Sequence, residues 1–218
     1  MIYAASQGEA AQRDAFTRRY APVVRAYLLA RWRGSPLIQE TNDACQEFFV
    51  DCFRQGGPLV RAQRGRDGGF RAFLFGIIRN VALRWEQRGA RAHARSTAEE
   101  FDFDRVESDE ADPQLAFDRA WATALLSEAS VQQANNARQS GPAAEKRIEL
   151  LRLRFREGLP IREIAKLWET DAARLHHEYA KARDEYSQAL YEVVAFHRPE
   201  ALAAEIRREC LELLATLS

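Results

Sequence analysis

Between Gly68 and Arg95 the chain reads GGFRAFLFGIIRNVALRWEQRGARAHAR, and its apolar positions return with a helical period. At about 100° per residue, Phe70, Leu74, Ile77, Ile78, Val81 and Trp85 fall on one stripe. Asn80, Arg84, Arg88 and Arg91 recur along its border. The same period runs through residues 9–33 in Phe16, Tyr20, Val23, Tyr27 and Leu28, with Pro22 expected to open a second helical piece. Thr41-Asn42-Asp43 supplies N-cap chemistry for a helix to Arg54. That helix has an inward face of Cys45, Phe48, Phe49, Cys52 and Phe53, and an outward face of Asp43, Gln46, Glu47 and Arg54.

Gly56-Gly57-Pro58 ends that helix, and a loop with Arg61, Arg64 and Arg66 leads to Gly68. After residue 96 the period fails. Asp112-Pro113 then reads as an N-cap with proline at the first helical position, opening a helix expected to reach about Gln133. The polar stretch 132–142, QQANNARQSGP, is expected to be a loop. Helices follow over Ala143–Glu157, Ile161–Trp168, Ala172–Tyr191 and from Pro199 onward, with Gly158 closing the first. No stretch alternates as a strand would. The expected fold class is all-α, in two small helical bundles.

Composition adds a distribution of charge. The 218 residues are 46% apolar and formally neutral. Residues 54–95 nonetheless carry ten arginines against two acids, and residues 97–120 carry nine acids against two arginines. A basic block followed by an acidic linker points to an anionic partner such as nucleic acid. The plainer alternative for the basic helix is a core element with solvated arginines. No apolar run approaches the roughly 20 residues of a membrane span, and the amino terminus lacks the pattern of a signal peptide. Three widely spaced cysteines form no disulfide framework, so a cytoplasmic location is expected.

Catalytic and metal-binding patterns are missing from the sequence. His176 and His177 are adjacent, so their side chains diverge by about 100° and make no facial ligand pair. Cys45 and Cys52 share a helix face and read as core. No nucleophile elbow, phosphate loop or spaced ligand set occurs. The chain is expected to work without a cofactor, a metal or an active site.

The short helix, tight connection and longer helix between Ile161 and Tyr191 have the outline of a helix-turn-helix. Ala165 would allow close approach, and Ile161, Ile164, Leu167 and Leu175 would pack the pair. With the upstream motifs, the chain resembles the extracytoplasmic-function (ECF) sigma factors of RNA polymerase. The resemblance rests on Asp43-Ala44-Cys45-Gln46-Glu47-Phe48-Phe49, on Phe70-Arg71-Ala72-Phe73-Leu74 with Arg79-Asn80, and on Glu157-Gly158-Leu159 with Glu163-Ile164-Ala165. Gln46-Glu47-Phe48-Phe49, the helix Ala116–Trp121 and the Leu-Leu-Ala ending are similar to the versions found in planctomycete-type bacteria.

This resemblance implies sigma region 2 over 1–95, an acidic linker over 96–112, sigma region 4 over 113–192 and a carboxy-terminal helical extension over 193–218. Asp43, Gln46, Glu47 and Asp51 would dock the β′ clamp coiled coil of core RNA polymerase. Region 4 would meet the β flap. The melted minus-ten promoter strand would be held by Arg61, Arg64, Arg66, Phe70, Arg71, Asn80, Arg84, Arg88 and Arg91, with Phe70 or Phe73 stacking a splayed base. Arg174, His176, His177 and Lys181 would reach the minus-thirty-five major groove. Charge reversal at Arg84 and Arg88 is accordingly expected to abolish promoter opening and spare polymerase binding.

The turn departs from the family's pattern, because Glu169 stands where a glycine is usual. The helix after it is acidic, with Glu178, Asp184 and Glu185 beside the cations. This acidity speaks for an alternative: a sigma-like adaptor that docks polymerase and is targeted to DNA by a partner protein or ribonucleoprotein. A helical scaffold unrelated to transcription is the third reading. Regulation by an anti-sigma factor or a kinase is what the class implies; no residue identifies either.

Overall fold

The computed structural model describes residues 9–61, 69–96 and 112–215. Among them are eight α-helices, two 3-10 turns and no strand. The chain divides into two compact units, residues 1–124 and 125–218.

The first unit contains α1 (Ala10–Arg31), a 3-10 turn (Pro36–Glu40), α2 (Thr41–Phe53), a second 3-10 turn (Pro58–Arg61), α3 (Gly69–Ser96) and the start of α4 (Pro113–Ser140). The inward stripes meet in an aromatic core. Phe16 and Tyr20 of α1, Phe48 of α2, Leu74 and Ile78 of α3 and Phe117 of α4 are fully buried. Phe16 presents its ring to Phe49, Phe53 and Phe70 edge-on, with centroids at 6.2, 5.6 and 6.1 Å. Edge-to-face pairs are favourable because the positive ring edge meets the negative face, at about 0.5–1.5 kcal/mol each beyond area burial. Trp121 is 2% exposed and stacks on Tyr20 at 5.9 Å and on Phe117 at 6.2 Å. The opening turns of α4 thus belong to the first unit, whereas the sequence boundary at 113 assigns them to the second.

Three local expectations are corrected here. α1 runs through Pro22 without a second start. Pro22 and Arg18, whose carbonyl loses its helical partner, are both exposed, so water can satisfy that oxygen while buried Tyr20, Val23 and Tyr27 hold both halves in line. Thr41 is not an N-cap. The preceding 3-10 turn feeds directly into α2, and buried Thr41 donates its hydroxyl to the Ile38 carbonyl at 2.7 Å. α2 does bury Phe48, Phe49 and Cys52, but Thr41 and Ala44 complete that face while Cys45 is half-buried.

The second unit holds the rest of α4, then α5 (Pro142–Phe155), α6 (Ile161–Leu167), α7 (Ala172–His197) and α8 (Ala203–Ala215). α4 continues to Ser140 through the polar stretch expected to be a loop. Gln132 donates to Asn136, Arg138 to Asn135 and Ser140 to the Asn136 carbonyl within the helix, and one residue of the stretch is anchored to another helix. Buried Gln133 donates to the Ala182 carbonyl at 2.9 Å, and Ala129 and Ala137 are buried on the same helix. Only Gly141-Pro142 breaks the run, with Gly141 at φ 95° and Pro142 in the first turn of α5.

Leu150, Leu153, Ile161, Ile164, Ala165 and Leu175 form the core where α5, α6 and α7 meet. Leu167, expected there, is 63% exposed instead. α7 extends past Tyr191 to His197, and α8 begins at Ala203 rather than at Pro199, with the Glu205 carboxylate accepting from the Leu202 amide at 2.9 Å. Ile206 and Leu213 of α8 are buried, whereas Leu214 and the preceding Leu202 are exposed. No helix among the described residues is long and apolar enough to cross a membrane.

Candidate nucleic-acid interface

The helical phase of α2 turns Asp43 and Gln46 to solvent and leaves Glu47 and Asp51 half-buried beside α3. Arg84 and Arg88 lie one turn apart on α3, and both reach across to these acids. Arg84 Nη2 is 3.0 Å from Glu47 Oε1 and also pairs with Asp51, while Arg88 Nη2 is 2.6 Å from Glu47 Oε2. Arg88 also lies over the Trp85 ring at 4.5 Å. Burial pulls the Glu47 carboxyl upward, but the hydrogen bonds from Arg88 and Arg84 outweigh it and hold its pKa below the usual glutamate range.

Two residue sets that the sequence assigns to different partners therefore form one network. The arginine side chains are 45% and 52% exposed, so each pair is worth about 0.2–1 kcal/mol. A competing phosphate or cation can open such contacts at modest cost.

Elsewhere the basic set separates. Arg71 is taken up internally: it pairs with Asp118 and lies 5.7 Å over the Phe117 ring. Phe70 is 9% exposed and packed against Phe16, Tyr20, Phe73 and Trp121, so it is a core residue and not a free stacking surface. The stripe places it there because Leu74 and Ile78, one and two turns on, face the same way. Asn80 and Arg91 are exposed on the same edge as Arg84 and Arg88. Arg64 and Arg66 lie outside the described residues, as do the side chain of Arg61 and most of the expected acidic linker.

Glu86 has no assigned role in the sequence reading, yet it accepts hydrogen bonds from two residues at the end of α1. Arg31 grips it with two hydrogen bonds, at 2.6 and 2.9 Å, and the Trp32 indole donates at 3.0 Å. This fork ties the end of α1 to α3 and fixes the rotation of the helix that carries Arg84 and Arg88. Cys45 and Cys52 are free thiols, and burial raises both their pKa values, consistent with packing groups.

In the second unit α6 ends in a Schellman turn. The Thr170 amide donates to the Ala165 carbonyl at 2.9 Å and the Glu169 amide to the Lys166 carbonyl at 3.2 Å. Such a turn needs its C′ residue in the left-handed region, and Glu169 sits there at φ 49°. The backbone is thus the one a glycine favours, held by a residue that pays conformational strain. Glu169→Gly is expected to raise stability by about 1 kcal/mol, since relief of the left-handed penalty exceeds the added flexibility of the unfolded chain. Glu169→Ala should bring no such gain, and urea denaturation of both variants measures the difference.

Asp171 caps α7, its carboxylate accepting from the Arg174 amide at 2.8 Å. Arg174, His176, His177 and Lys181 are all exposed on this helix, whereas Leu175 and Ala182 are buried. Asp184 is exposed beyond them. Glu178 and Glu185 behave differently: Arg147 of α5 binds both, at 3.1 and 2.6 Å. The hydrogen bond from Arg147 holds the Glu178 carboxyl below its usual range. Among the described residues no group of three or more His, Cys, Asp or Glu is placed to hold a metal ion. No protein-family model matches this chain and no curated protein matches it, so its function has to be argued from these two surfaces.

Proposed function

We infer that this chain is a sigma factor: a non-catalytic subunit that docks core RNA polymerase, recognises a promoter and helps to open it. The observation that carries the reading is the α6–α7 pair, with its tight Schellman turn, an exposed stripe of Arg174, His177 and Lys181, and exposed His176 about 100° further round the helix. A helix with that geometry fits a major groove, and its cations suit phosphates and base edges. The exposed edge of α3 with Asn80, Arg84, Arg88 and Arg91 supplies the second nucleic-acid contact, in the minus-ten region. The outward face of α2, with Asp43, Gln46, Glu47 and Asp51, docks the β′ clamp coiled coil, and the second unit meets the β flap.

The adaptor alternative drew its support from the acidity of α7. Two of those acids, Glu178 and Glu185, are bound by Arg147, and this favours direct DNA contact. Run-off transcription with purified core polymerase on a promoter library tests the choice. Sequence-specific initiation by the chain alone is the expected result. Polymerase binding without initiation unless a cell extract is added would point to the adaptor, and failure to bind polymerase at all would end both readings.

A further inference from the structure

Glu178 and Glu185 are seven residues apart, so they lie on nearly one line along α7. Arg174 and Lys181 lie on a parallel line about 40° around the helix. Each glutamate therefore sits four residues after a cation, at the spacing where side chains on a helix pair. Lys181 already stands 3.7 Å from Glu178. Left to themselves, the two carboxylates would neutralise the stripe that is meant to face phosphate.

Arg147 competes for both carboxylates from α5. Its side chain is only 15% exposed. It donates from Nε to Glu185 at 2.9 and 3.0 Å, from Nη2 to Glu185 at 2.6 Å, and from Nη1 to Glu178 at 3.1 Å. One guanidinium thus draws both acids toward α5 with four hydrogen bonds, using the fork geometry that a lysine lacks. We propose that Arg147 is a positioning residue for nucleic-acid binding: it holds Glu185 and one oxygen of Glu178 against α5, and so limits how far the two acids neutralise Arg174, His177 and Lys181, keeping these cations for DNA phosphates. This rests on the reading of α7 as a DNA-facing helix.

The test is binding of the full-length chain to a short mixed-sequence DNA duplex at low salt, followed by fluorescence anisotropy. Arg147→Gln is expected to weaken binding about tenfold, because two released carboxylates cancel cationic contacts. Adding Glu178→Gln and Glu185→Gln to that variant should restore binding, which a merely structural role for Arg147 would not allow. Arg152→Gln is the control for bulk charge, since Arg152 binds Glu149 and Glu157 and no residue of α7; it should leave affinity within about twofold.

Where Arg147→Gln alone fails to fold, the Glu178→Gln, Glu185→Gln chain is compared with the triple variant. Equal binding by these two supports the proposal. Weaker binding by the triple variant overturns it, because Arg147 would then contact DNA itself. An unchanged affinity for folded Arg147→Gln, or an equal loss for Arg152→Gln, also overturns it while leaving the DNA-facing reading intact. A wild-type chain that does not bind duplex would instead remove that reading and this inference together.

Discussion

Trp121→Ala is expected to destabilise the amino-terminal unit by about 3–5 kcal/mol, the range for deleting a buried tryptophan. Trp121 is 2% exposed and in ring contact with Tyr20, Phe70 and Phe117. Its loss opens a cavity where α1, α3 and α4 converge, and aromatic neighbours on three different helices cannot all relax into it. Typical domains are stable by only about 5–15 kcal/mol, so the variant should melt well below the wild type or fail to accumulate. The same substitution tests where the first unit ends. If residues 113–124 belonged to an independent carboxy-terminal domain, the Phe16–Tyr20–Phe70 cluster would remain intact. Thermal denaturation followed by near-ultraviolet circular dichroism, which reports ordered aromatic packing, separates the two outcomes.

The second large effect concerns the α2–α3 network. Arg84→Glu with Arg88→Glu replaces three attractive pairs, to Glu47 and Asp51, by carboxylates facing carboxylates. Each reversal forfeits a weak pair and adds a comparable repulsion, for a total of about 2–3 kcal/mol at low salt. The cost should shrink in high salt, and urea denaturation at both ionic strengths measures it. Promoter opening is expected to be lost, as the motif reading anticipates. Polymerase binding is not expected to be spared, which revises that reading. Arg84 and Arg88 occupy Glu47, so removing them changes the face proposed to dock the polymerase, and a cationic partner should bind that face more tightly.

The charge-swapped chain, with Glu47→Arg and Asp51→Arg added, separates structure from function. It should regain stability and remain inactive in both polymerase binding and transcription. Full activity in the swapped chain would reduce these residues to a surface ion-pair network.

Legibility in the sequence followed the range of the interaction. The helices of α2, α3, α5, α6 and α7 were readable to within a few residues over most of their ends, because apolar period, glycines and prolines act over one or two turns. The continuation of α4 to Ser140 was not, since Gln132 to Ser140 carries no apolar signal and is held by contacts such as Gln133 with the Ala182 carbonyl. The roles of Phe70 and Arg71 were ambiguous for a related reason: an aromatic and a cation at a helix start serve a core or a ligand equally well until α4 is seen to cover them.

What the sequence alone determined is therefore the helical class, most element boundaries, the basic and acidic blocks, and which residues of α2, α3 and α7 face outward. Each follows from rules of short range along the chain. Only the tertiary structure decided which charges remain available. Glu47 with Arg84 and Arg88, Arg31 with Glu86, Arg71 with Asp118, and Arg147 with Glu178 and Glu185 join residues 31 to 55 positions apart. No periodicity encodes such a partner. The pairing emerges only when packing of the apolar faces sets the rotation of one helix against the next.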